Sequence, residues 1–63
     1  MNGKSISYRR EFKEYFQWYE VFSILKEKLI FFTKLHPQKD FSLNGKYENN
    51  MYVLTAEVYE KQN

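Results

Sequence analysis

The chain has no cysteine, one proline, two glycines and one histidine. Its longest uninterrupted apolar run is Leu29-Ile30-Phe31-Phe32. Each shortage excludes something. Without cysteine there is no disulfide framework, no thiolate nucleophile and no Cys-ligated zinc. His36 is the only imidazole, and no acidic cluster surrounds it in sequence, so neither a metal nor another cofactor is expected. Two glycines, Gly3 and Gly45, cannot build a phosphate-cradling loop. A membrane span needs about 20 consecutive apolar residues, and a secretory signal needs a charged segment followed by an apolar one. Neither pattern occurs, and no N-glycosylation sequon or lipidation signature is found, so a cytoplasmic location is expected.

What is present starts with length. At 63 residues the chain reads as a single small domain, 1–63. Catalysis needs several converging polar groups on a rigid frame, which so short a chain can rarely spare. The expectation is a non-enzyme with no small-molecule substrate. A domain this short buries only about 60% of its unfolded surface, and ordering it costs roughly 1.5 kcal/mol per residue. Disulfides and metals are not there to help. What remains is a store of large rings, six Phe, six Tyr and one Trp, each able to bury about 150–250 Å², together with oligomerisation. The balance of 10 Lys+Arg against 8 Asp+Glu, a net charge of +2, is too slight to imply nucleic acid by itself. Residues with AT-rich codons (Phe, Tyr, Met, Ile, Asn, Lys) number 30, against 6 with GC-rich codons (Gly, Ala, Arg, Pro), which suggests an AT-rich genome such as that of a low-GC bacterium, a phage or a plasmid.

Residues 1–6 read as a short leader, and 61–63 as a frayed end. Between Ser7 and Leu35 there is no glycine or proline, and His36-Pro37 closes any helix, because a residue before proline is disfavoured in the α region. The simplest reading is one helix over about 7–35, roughly 42 Å long. Ser5 or Ser7 would cap its start, and Lys34 and His36 would meet the negative end of its dipole. Two alternatives stay open: a break near Glu20–Ser23, and a strand through Tyr15–Ile24. Ser5–Tyr8 as a short edge strand is a further option.

The helix carries two apolar series on roughly opposite sides. Tyr8, Phe12, Tyr15, Tyr19 and Phe22 follow one, and are expected to pack within the chain. Val21, Leu25, Phe32 and Leu35 follow the other, interrupted by Lys28, with Trp18, Ile24 and Phe31 beside them. After Pro37 the pattern changes. Asp40–Leu43 alternates, Asn44-Gly45 is a strong hairpin signal, Lys46–Glu48 reads as the returning strand, and Asn49-Asn50 as a second turn. Met51–Tyr59 reads as a strand with apolar residues on both faces, or else as a short helix capped by Asn50.

The fold class is therefore α+β: one long N-terminal helix (about 7–35) followed by a C-terminal β-hairpin or meander (about 40–59), expected to be dimeric. A segment of some 20 residues can cover one side of a helix and not both, so the second series is expected at an interface: Trp18, Val21, Leu25, Phe31 and Phe32. The expected partners are a second copy, most simply about a two-fold axis, and a host or cognate protein. The expected role is a non-enzymatic, protein-binding regulator or inhibitor acting by surface contact, of the kind carried by a phage or other mobile element. One alternative is a nucleic-acid-binding regulator using the basic cluster Arg9, Arg10 and Lys13, with neighbouring rings stacking on bases. Another is a minor structural subunit of a larger assembly. His36 reads as a helix-terminal residue beside proline, and Glu20 and Glu27 as a solvated helix face. No motif points to a particular family.

Overall fold

The computed structural model describes residues 5–62, so that of the 1–6 leader only Ser5 and Ile6 can be placed. Strand β1 (Ile6–Phe12) is followed by helix α1 (Tyr15–Leu35) and by strands β2 (Lys39–Glu48) and β3 (Met51–Glu60). The three strands form one antiparallel sheet in the order β1-β3-β2. Each outer strand pairs only with β3, Ile6 opposite Val58 and Phe12 opposite Tyr52 on one side, Phe41 opposite Val58 and Tyr47 opposite Tyr52 on the other.

The α+β class is as expected; the beginning of the helix is not. Residues 7–12 are strand, Lys13-Glu14 turns the corner, and the helix starts at Tyr15. Two periods overlap here. Tyr8 and Phe12 fit the helical series, but Ile6, Tyr8 and Phe12 also recur at even positions, as one face of a strand does. Arg10 interrupts that alternation, and no glycine or proline marks the corner. Neither Ser5 nor Ser7 caps the helix: Glu14 does, in extended conformation (φ −113°, ψ 136°) and with no side-chain hydrogen bond. The far end is as expected, with Lys34 in the last turn and the His36 backbone N–H donating to the Phe32 carbonyl at 3.0 Å. The helix is continuous through Glu20–Ser23.

The second correction concerns Asn44-Gly45, which lies inside β2 rather than in a turn. The hairpin turn is Asn49-Asn50, both at positive φ (54° and 63°) as a type I′ turn requires. Asparagine tolerates that region better than other side chains do. Asn50→Val is expected to lose about 1–2 kcal/mol, because a β-branched residue is strained there. Asn50→Gly is expected to gain a few tenths, and denaturant melts of both variants check the pair of signs.

Residue 51 to residue 60 is strand throughout, and as the central strand it supplies most of the core. Val53, Leu54 and Ala56 are buried, together with Phe12. Leu54 and Ala56 face the helix in a row with Phe12, Leu43 and Val58, as the register and the pleat dictate. Val53 lies on the opposite face, with Glu11 and Lys46 as its register neighbours. No residue of the helix is fully buried.

Candidate interaction surface

The helix is anchored at one end. The Trp18 indole Nε1–H donates to the Val53 carbonyl at 3.1 Å, and the six-membered part of the ring lies directly over Gly45. A Cβ at position 45 would overlap that ring, which is why glycine sits mid-strand. Around Trp18 the rings pair among themselves. Trp18 stacks with Phe22 at 4.8 Å, Tyr15 lies 5.6 Å from Tyr52, and Tyr52 lies 4.7 Å from Tyr47. These distances are favourable for aromatic pairs, so the rings on the β2 side partner one another, although Tyr15 and Tyr47 stay more than half exposed.

The β1 side is different. There the helix stands off the sheet and leaves an open apolar cleft of about 170 Å³, walled by Ile6 and Tyr8 of β1, Val21, Leu25 and Leu29 of α1, and Val58 of β3. A second hollow of about 350 Å³ continues it past Leu29 and Phe32 to Lys28. The same flank of the helix carries Ile24, Phe31 and Leu35. At 100° per residue these three fall within about 40° of each other, next to Lys28 and Val21. They are 52%, 64% and 61% exposed, and Ile6 is 73% exposed. Cleft and flank form one apolar surface running from the edge of the sheet onto the outside of the helix.

The five interface candidates thus divide. Trp18 is engaged within the chain, Val21, Leu25 and Phe32 line the cleft and its extension, and Phe31 stands in solvent. The two apolar series have exchanged parts of their expected roles: the second turns toward the sheet, while Tyr15 and Tyr19 of the first are about half exposed. The sequence reading missed Ile6, Tyr8, Leu29 and Val58 as walls of this surface. The even-position alternation of β1 was the signal for the first two.

The basic cluster is not one patch. Arg9 and Arg10 are neighbours on a strand and so project from opposite faces of the sheet. Arg9 pairs with Glu11 at 2.6 Å, and the Arg10 guanidinium lies 4.8 Å over the Phe12 ring. Lys13 is exposed at the corner. On the face away from the helix Lys46 pairs with Glu48 at 2.8 Å. That hydrogen bond, with the charge of Lys46 and a smaller contribution from Arg9, holds the Glu48 carboxyl below the usual carboxylate range. A depressed carboxylate pKa favours the folded state above its unfolded value, and the benefit is lost as pH falls through the folded one. The group is exposed, so the pair is of little consequence for stability.

The His36 ring packs against Phe32 at 4.6 Å. Among the described residues no three His, Asp or Glu side chains converge, and no helix is long and apolar enough to cross a membrane. No family model, curated protein or solved structure matches this chain.

Proposed function

We propose that this chain is a small, non-enzymatic contact protein, a regulator or inhibitor that acts by laying one surface against another protein, and that it belongs to a phage or other mobile element of an AT-rich genome. The observation that supports this reading is the continuous apolar surface formed by the α1–β1 cleft and the Ile24–Phe31–Leu35 flank. A large exposed apolar patch on a small protein is often functional, and Ile6, Ile24, Phe31 and Leu35 on this surface are each more than half exposed. The separation of Arg9 from Arg10 across the sheet weighs against the nucleic-acid alternative, which would need the positive charge on one side.

The test is tagged expression in the cell that makes the protein, comparing wild type with Phe31→Asp and with Lys13→Glu. A protein partner retained by Lys13→Glu and lost by Phe31→Asp is the expected result. Recovery of nucleic acid that is lost with Lys13→Glu and released by modest salt would overturn the proposal.

A further inference from the structure

We infer that the surface beside β1 receives a second copy of this chain, the two β1 strands pairing antiparallel about a two-fold axis, so that two three-stranded sheets become one sheet of six strands. This rests on the contact-protein reading and names one partner for it.

Three observations converge on a copy of the same chain. The first is backbone. β1 is an outer strand seven residues long, and the N–H and C=O groups of every second residue along its free edge are open to another strand. Natural sheets usually cover such an edge or blunt it with a bulge or proline. Here no proline or bulge interrupts Ile6–Phe12, which pairs residue for residue with β3.

The second is area. Ile6 and Tyr8 stand on that edge, with Ile24, Phe31 and Leu35 above it, at exposures of 73%, 43%, 52%, 64% and 61%. Taking about 200 Å² for a fully exposed large side chain, they leave open on the order of 600 Å². The walls of the cleft and the strand backbone add to it. A stable interface takes about 800 Å² from each partner, so one copy of this surface is sized for another.

The third is charge. Arg9 and Glu11 share the outward face of β1, two residues apart. When two such strands run antiparallel with the axis at Arg10, each Arg9 stands opposite the partner's Glu11, and each Tyr8 opposite the partner's Phe12. An axis at Arg10 matches these pairs as an isologous interface requires, at the cost of placing the two Arg10 residues opposite each other. The Arg10 side chains at the axis are drawn along the strand over their own Phe12 rings. Beside the other outer strand, β2, Tyr15, Tyr19 and Tyr47 are also about half exposed, but each ring pairs with a neighbouring ring of its own chain.

The absence of cysteine makes the test clean, since one introduced thiol can form only one product. Directly opposed residues in an antiparallel pair have Cα atoms about 4.5–5.5 Å apart, within the range a disulfide spans. Arg10→Cys is expected to cross-link to a dimer under mild oxidation, while Asn44→Cys, on β2, is not. Sedimentation of the wild type at about 1–100 µM should show a dimer. Ile24→Asp and Phe31→Asp replace exposed residues, so they should keep the circular dichroism spectrum and a cooperative melt while weakening the dimer at least tenfold. Arg9→Glu should weaken it less, and Arg9→Glu with Glu11→Arg should restore it. A monomer across the concentration range, a dimer that cross-links only from Asn44→Cys, or a dimer indifferent to Phe31→Asp would each overturn the inference. Failure here leaves the cellular pull-down free to succeed with a different protein, so the two proposals fall separately.

Discussion

Leu54→Ala is expected to lower the unfolding free energy by about 3 kcal/mol, the typical cost of emptying a fully buried leucine site. Leu54 is the most deeply buried of the described residues, in the middle of the central strand, with Arg10 and Gly45 as its register neighbours and Trp18 above the latter. A domain this short has on the order of 3–9 kcal/mol in total, and about 1 kcal/mol moves the melting temperature of so small a unit by roughly 4–8 °C. The variant should therefore melt some 12–24 °C below wild type, or fail to fold at ordinary temperature. No helix substitution to alanine should match it, because no helix residue is fully buried. Differential scanning calorimetry of Leu54→Ala beside Leu25→Ala checks the order, and an equal or larger loss at Leu25 contradicts this account of the core.

Gly45→Ala is expected to cost about 2 kcal/mol, against the usual direction. Glycine inside a strand normally weakens it, so that alanine gains roughly 0.5–1 kcal/mol. At position 45 the added methyl group runs into the Trp18 ring. Either the ring moves, breaking the Nε1–H bond to Val53, or β2 bends away; overpacking of this kind costs about 1–3 kcal/mol. Trp18 is the only tryptophan, so its fluorescence reports the event directly, with emission shifting to longer wavelength as the indole gains water. In a Trp18→Phe background the penalty of Gly45→Ala should shrink, and the double-mutant cycle measures the coupling. Asn44→Ala, one residue away, should be nearly silent. A Gly45→Ala protein as stable as wild type with unshifted emission would show that the ring does not occupy this position.

The same pair of residues shows where the sequence was readable and where it was not. The helix end at Leu35-His36, the turn at Asn49-Asn50 and the strand from Met51 each rest on local chemistry: a proline, two residues tolerant of positive φ, a β-branched and aromatic run. All three are present. Gly45 was read through its neighbour Asn44 as a turn, because the two make the commonest hairpin dipeptide. Its real reason is an indole 27 positions earlier in the chain, which no short-range pattern contains. Strand β1 was read only in part, as an optional edge strand over Ser5–Tyr8, for a related cause. Its partner is β3, which begins about 40 residues further along the chain, and Tyr8 and Phe12 continue a helical spacing by coincidence. The interaction surface was half legible. That the helix bears more apolar surface than one small sheet can cover followed from counting. Which side remains uncovered depends on the position of the helix over the sheet, and that is set by Trp18 and Gly45.

One consequence of the strand order concerns synthesis. The ribosome delivers β1 first and the middle strand last, and neither outer strand pairs with anything but that middle strand. Until Met51–Glu60 has emerged, no rung of the sheet can exist, and the helix is the only element able to form. The nascent chain therefore carries Ile6–Phe12 as an uncommitted strand until Met51–Glu60 arrives, and the sheet waits for that ten-residue segment to join the other two.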